Sequence, residues 1–324
     1  MIIPRVERLI AALSLSWCLF SDEFIGWIGL AVVALTVDSL KGPLTLRVVL
    51  RFDTGYRDAA EVLAESLQIP LLGGIEASTA DTGFDLLLGS AGLSLRELST
   101  ELEEGRGQQS GKRKGKIKQT ANADIRCDFI AGELRHRRLY GGGKNQMILK
   151  ATGLNKHKPS VMDLTAGLGR DSYVLATAGA RVTMFERQPI VAALLADGLQ
   201  RLREGGDGEE LAIAQRLFLH RGDSLDCLAA LAEQEAPDVI YLDPMFPERG
   251  KTAKVKKSMA FFHHLVGSDE DAAALLPLAL QTARYRVVVK RPRHAPPLAD
   301  MKPGLSFEGK STRFDVYPLK KMPG

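Results

Sequence analysis

The chain has 324 residues, 45% of them hydrophobic and 25% charged, with a formal net charge of +4 at pH 7. That length and balance suffice for one large α/β domain with a smaller appendage, and they exclude a disordered chain, which buries too little apolar surface to offset the entropy of ordering. Cys18, Cys127 and Cys227 are scattered without CxxC spacing, which argues against a disulfide framework or a zinc site; no metal is expected, and a reducing cytoplasm fits best.

In chain order, two apolar runs come first, at residues 9–21 and 24–37, separated by Asp22 and Glu23. Each is shorter than the ~18–20 residues that span a bilayer, and one helix through both would bury two acids in hydrocarbon. Arg5 and Arg8 precede an apolar core as in a signal peptide, but Ser21-Asp22-Glu23 stands where small residues should mark cleavage. Residues 1–45 are therefore expected to be a dispensable apolar extension, with no membrane partner.

Residues 46–104 read as a small α/β unit: strand-like 46–50, helix-like 57–67 and strand-like 84–88, closed by residues 93–98. A basic, Gly-rich linker is expected over 105–120. Its Lys112-Arg113-Lys114-Gly115-Lys116 run has no apolar face and suits a solvated loop or an RNA-contacting one equally. A second basic cluster, Arg135-His136-Arg137-Arg138, precedes Gly141-Gly142-Gly143. Phosphate-binding side chains beside a flexible backbone fit a sugar-phosphate chain, and the uneven charge favours a polyanionic partner. His136 is read as a binding or solvent-facing residue in preference to a proton acceptor.

Residues 121–324 are assigned to the main domain. Five near-continuous apolar strands, at 160–164, 180–185, 216–220, 237–242 and 285–289, are separated by helix-length segments, and a last strand is read at 313–317. That alternation predicts a mostly parallel sheet covered on both faces, with ligands beyond the carboxyl ends of its strands.

The strand ends carry the chemistry. Asp163-Leu164-Thr165-Ala166-Gly167-Leu168-Gly169 follows the first; Gly167 and Gly169 permit a sharp turn and close approach of a ligand to the next helix's amides. Alone, that signal also suits a nicotinamide dinucleotide. Glu186 closes the second strand, where an acid accepts from both ribose hydroxyls. Asp223 follows the third, placed for an adenine amino group, and Asp243 ends the fourth. This acidic rim suits a cofactor bearing ammonium and sulfonium charge and would serve a pyrophosphate poorly.

Asp243-Pro244-Met245-Phe246 resembles the Asp/Asn-Pro-Pro-Tyr/Phe motif of S-adenosylmethionine-dependent methyltransferases that act on exocyclic amines of nucleobases. The lone pair of such an amine is delocalised into the ring, so acceptors must hold it for in-line attack: the Asp243 carboxylate and a backbone carbonyl near Pro244, with Phe246 stacking on the base. Met245 replaces the motif's second proline.

Together with Glu133–Gly143, Glu186–Leu195 and Val289–Ala299, these segments make the chain from residue 46 to 318 similar to the bacterial ribosomal RNA small subunit methyltransferase J family. The resemblance implies a class I S-adenosyl-L-methionine-dependent methyltransferase with a Rossmann-like, mostly parallel sheet and a small N-terminal α/β appendage. It also implies methylation of a guanosine N2 amine in small-subunit (16S) rRNA, with the rRNA or the 30S subunit as partner. Carried over by position, it implies cofactor contacts from Arg170, Asp171, Glu186, Arg187, Asp223, Ser224 and Asp243. Lys290 and Arg291, at the fifth strand's end, are expected to hold RNA phosphates, though Lys290 could equally pair with a rim acid. Rival readings are an amine methyltransferase acting on DNA adenine or protein glutamine, a non-catalytic RNA-binding assembly factor, and a nicotinamide oxidoreductase.

Overall fold

The computed structural model describes residues 48–74, 83–102, 117–121, 124–131, 146–230, 236–245 and 272–323. The expected extension at residues 1–45 and the Arg135–Arg138 cluster lie outside them. The chain divides into two units between Ile125 and Arg126.

In the first unit, β1 (Val48–Phe52), α1 (Arg57–Leu67), β2 (Leu71–Gly73), β3 (Gly83–Gly89), β4 (Gly92–Leu102) and β5 (Ile117–Ala121) build a sheet in the order β2-β1-β3-β4-β5. β1 runs parallel to β2 and β3, and β4 is antiparallel to both β3 and β5. The α1 helix buries Ala59, Ala60, Leu63 and Ala64, the i, i+4 face of its turn. Within the sheet Arg51 and Asp85 are 3% and 2% exposed and bonded at 2.9 Å, which satisfies two charges that would be costly unpaired. The 105–120 linker reading is corrected at its end: Ile117–Ala121 pairs with Leu98–Leu102. Ladder hydrogen bonds to the edge of β4 place this strand, and a run of one Ile among polar residues carries no periodic signal for it.

The second unit contains α2 (Met147–Thr152), β6 (Ser160–Asp163), α3 (Arg170–Thr177), β7 (Arg181–Glu186), α4 (Pro189–Gly205), α5 (Gly208–Ala214), β8 (Leu217–Arg221), α6 (Ser224–Ala230), β9 (Val239–Leu242), α7 (Ala272–Thr282), β10 (Arg286–Pro292), β11 (Leu305–Glu308) and β12 (Thr312–Pro318). Its seven-stranded sheet has the order β11-β12-β10-β9-β6-β7-β8, with β12 antiparallel to both neighbours. The apolar strands are continuous because alternate residues feed two cores. Val161, Val239, Tyr241 and Val288 face one layer with Leu175, Leu195 and Leu199; Met162, Ile240, Leu242, Val287 and Val289 face the other with Leu275, Leu276 and Ala279. Strand β11 was not foreseen: three of its four residues are exposed, so an edge strand of this kind shows no buried alternation. Among the described residues no helix is long and apolar enough to cross a membrane.

Sequence dictates where the helices begin. Gln188 caps α4, its side chain accepting from the amides of Ile190 and Val191, with Pro189 pre-set in the first turn. Asp207 and Glu210 form a capping box on α5. The first of these caps stands two residues beyond Glu186 at the end of β7.

Candidate active site

A cleft with about 610 Å³ of empty volume opens at the carboxyl ends of β6, β7, β8 and β9. Its polar wall holds Thr165, Glu186, Arg187, Asp223, Ser224 and Asp243, and its apolar wall is built from Leu164, Phe185, Val191, Met245 and Leu275. Thus Gly167, Glu186, Arg187, Asp223, Ser224 and Asp243 meet as expected. Asp163, Gly169, Arg170, Asp171 and Pro244 do not line the cleft, and Phe246 lies outside the described residues.

Each rim acid is held differently. Glu186 is 8% exposed, its two oxygens accepting from the amides of Gly167 and Gln188 at 2.8 Å each, so the carboxylate is fixed between the first two strand-end loops. Asp223 accepts from the amide of Leu225 at 2.8 Å and lies 3.9 Å from Arg187. Asp163 sits beneath the wall, 2% exposed, accepting from the Thr165 amide and the Ser172 hydroxyl. Burial pushes its carboxyl up to about 7, against the lowering effect of those two hydrogen bonds.

The glycines divide the labour. At Gly167, φ is +54° and an added Cβ would meet nothing within 4 Å, so this residue keeps the cleft wall open. At Gly169, φ is +69° and a Cβ would fall 2.8 Å from Leu195 Cδ1 and 3.2 Å from Phe129. Gly169, expected to meet the cofactor, instead allows α3 to pack on the core. Arg170 is the exposed first residue of that helix.

Lys290 organises the acids. Its Nζ donates to Oδ2 of Asp171 and to Oδ2 of Asp243, both at 2.7 Å, and the Tyr241 hydroxyl donates to the same Asp171 oxygen at 2.8 Å. Burial alone would lower the lysine's pKa, but the charges of Asp243 and Asp171 outweigh it and hold the ammonium raised. Burial, then these acids' charges, pushes Tyr241 well up, so its phenol stays a donor. Of the two readings of Lys290, pairing with rim acids is the geometry observed. Arg291, expected on RNA, is 2% exposed and donates to the Pro296 carbonyl from Nε at 3.0 Å; burial, and then the Arg313 charge, bring it down to about 10. A guanidinium buried in this way is not presented to a phosphate.

Some participants escaped the sequence reading. Thr165 Oγ1 accepts from the Asp243 amide at 2.6 Å, joining the loops after β6 and β9. Tyr241 could have been found from its place beside Asp243, but that its hydroxyl reaches Asp171 is set by the packing of α3 against that face of the sheet. Of the apolar wall, Phe185 and Leu275 lie outside the motifs read from the sequence.

The comparisons with known proteins agree with the described fold. Residues 107–319 match a family of SAM-dependent methyltransferases. The ribosomal RNA small subunit methyltransferase J of Cellvibrio japonicus is 46% identical over 283 residues, covering 86% of this chain and 99% of its own. The chain belongs to the ribosomal RNA small subunit methyltransferase J family. The family's Pseudomonas aeruginosa member is 46% identical over 266 residues, covering 82% of this chain and 92% of its own. A crystal structure of a SAM-dependent methyltransferase from Neisseria gonorrhoeae aligns with a TM-score of 0.58 and 38% identity, over 83% of this chain and 95% of that one. The fold is that of class I methyltransferases, and the protein is an enzyme that uses S-adenosyl-L-methionine.

The cleft fits that cofactor. Three carboxylates against one guanidinium suit a ligand with sulfonium and ammonium charge, and Leu164, Phe185, Val191 and Leu275 offer an apolar slot for a purine.

Proposed function

We propose that this enzyme methylates the exocyclic N2 amine of a guanosine in small-subunit rRNA, acting in the cytoplasm on the rRNA or the 30S subunit. The observation that carries the reading is Asp243, which directly follows β9 in the cofactor cleft with its side chain 38% exposed and one oxygen held by Lys290. The relatives' name supports the rRNA substrate, while DNA adenine, protein glutamine and a non-catalytic assembly role draw no support from it.

S-adenosyl-L-methionine, when bound, supplies an electrophilic methyl carbon. Glu186 would hold the ribose hydroxyls, Asp223 and Ser224 the adenine edge, and Asp163, through Thr165 and Ser172, the shape of the first loop. Arg187 orients Asp223, and Arg170 and Asp171 support the helix that closes the loop. Asp243 accepts from the target amine, and a carbonyl near Pro244 accepts its second N–H; Phe246 stacks on the guanine. This positioning directs the nitrogen lone pair and is the main catalytic contribution. Lys290 fixes the Asp243 carboxylate in one orientation and offsets its charge against Asp163 and Asp171. The amine proton leaves after transfer, when that nitrogen is strongly acidic, so no dedicated base is needed. The target base must leave its stack to reach the cleft, and Arg135, His136, Arg137 and Arg138 would hold the flanking backbone.

The test is transfer of labelled methyl groups to small subunits or rRNA from cells lacking this protein, with wild type and Asp243→Ala, followed by nucleoside mass spectrometry. Label in N2-methylguanosine with wild type and not with the variant is expected. Label in another nucleoside, or in protein or DNA alone, overturns the reading.

A further inference from the structure

Among the described residues, the pockets at the two ends of the large sheet are lined by opposite charge. The carboxyl ends present the acidic cleft, which repels phosphate. At the other end an open groove of about 780 Å³ is lined by Lys150, Lys156, Arg286, Lys320, Lys321 and His157, with no carboxylate among its described lining residues. Five cations around one concavity make a strong local field for an anion.

The groove is framed by fixed backbone. The amides of Lys156 and His157 donate to the Gly153 carbonyl at 3.1 and 2.9 Å, just before β6. Those of Leu319 and Lys320 donate to the Tyr285 carbonyl at 2.8 and 3.1 Å. Arg286 pairs across the sheet with Pro318 and donates to the Ala151 carbonyl at 3.0 Å. Met322 packs against Gly153, where a Cβ would fall 2.6 Å from its sulfur. Lys150, Lys156, Lys320 and Lys321 are exposed on this frame, drawn from two separate segments, with Arg286 from a third.

We propose that this groove is a second RNA-contact surface, holding sugar-phosphate backbone of the substrate RNA away from the target nucleotide. The inference rests on the reading that the substrate is RNA. Charge complementarity selects the occupant: among the described residues the cleft is acidic, Arg291 is buried and Lys290 is engaged with acids, whereas the groove's lysines face solvent. Strands of four to seven residues put the two ends on the order of 15–20 Å apart. The groove thus binds RNA flanking the target in space, as a large folded substrate provides.

The test compares Lys320→Glu/Lys321→Glu with Lys302→Glu/Lys310→Glu, a matched charge change at exposed lysines outside the groove. Methyl transfer to small subunits and to protein-free rRNA is measured over a salt series, with cofactor affinity and melting temperature as controls for folding. The groove variant is expected to raise KM for RNA on the order of tenfold and to flatten the log–log salt dependence by about 1.4, at about 0.7 per lost phosphate contact. Adding Lys156→Glu, from another segment, should raise KM further, and kcat should hold. Equal behaviour of the two double variants overturns the proposal, as does a loss confined to assembled subunits, which would make the partner a ribosomal protein. A wild-type enzyme that binds cofactor yet methylates no RNA overturns the substrate reading itself, a result distinct from an active wild type matched by the groove variant.

Discussion

Replacing Lys290 with Met removes the cation shared by Asp171 and Asp243 while keeping most of the side chain's bulk. At 2.7 Å each pair is worth about 6 kcal/mol of Coulomb attraction at an effective dielectric near 20, before desolvation is subtracted. The site is half-way between surface and core: side-chain exposures are 27% for Lys290, 14% for Asp171 and 38% for Asp243. Surface pairs contribute about 0–1 kcal/mol, and breaking a buried pair costs about 3–5, so a net loss of about 2 kcal/mol is expected. In catalysis that is a fall in kcat/KM of about thirtyfold, most of it in kcat because Asp243 loses its fixed orientation. The pH profile separates positioning from simple destabilisation. Without the ammonium the two carboxylates face each other, each raising the other's pKa, so the variant gains an acid limb and recovers activity as pH rises. Lys290→Arg keeps the charge and should restore the wild-type profile, though not the full rate. Single-turnover methyl transfer from pH 6 to 9 at saturating cofactor is the assay. Activity of Lys290→Met within twofold of wild type, with an unchanged profile, would refute the reasoning.

Asp243→Ala removes one oriented acceptor and should lower kcat on the order of 10²–10³-fold, read by labelled methyl transfer with the product identified. Gly169→Ala should cost about 2 kcal/mol in denaturant unfolding, from its positive φ and the 2.8 Å approach to Leu195. Gly167→Ala meets no atom within 4 Å, so it should cost about 1 kcal/mol and show itself instead in weaker cofactor binding by calorimetry. The Asp163 carboxyl is raised from 3.8 to about 7 in the folded protein. The fold therefore binds its proton more tightly than the unfolded chain does, and the stability so gained is complete below pH 4 and lost as pH rises through 7. Relative to Asp163→Asn, wild type should lose roughly 3 kcal/mol more between pH 5 and 8 by urea unfolding; parallel pH dependences would count against a neutral buried Asp163.

Much of the site was legible because the chemistry of a parallel sheet sits at its strand ends, and those ends are adjacent to readable apolar runs. Glu186, Asp223 and Asp243 each follow such a run, and all three reach one cleft. The Gly167-Leu168-Gly169 turn was legible as a turn, but the different tasks of its glycines depend on Leu195 and Phe129, which lie far away in sequence. Strands β5 and β11 were missed since both are held mainly by ladder hydrogen bonds to a neighbour, and main-chain pairing leaves no side-chain period to read.

By itself the sequence determined the alternation of strands and helices, the acidic rim and the Asp243-Pro244 strand end, because each is written in local order and spacing. Only the tertiary structure decided that Lys290 belongs to Asp171 and Asp243, that Arg291 is internal, and that lysines from two distant segments, with Arg286 from a third, ring one groove. Those outcomes depend on which side chains the strand order and sheet twist bring within a few ångströms, a distance that separation along the chain does not encode.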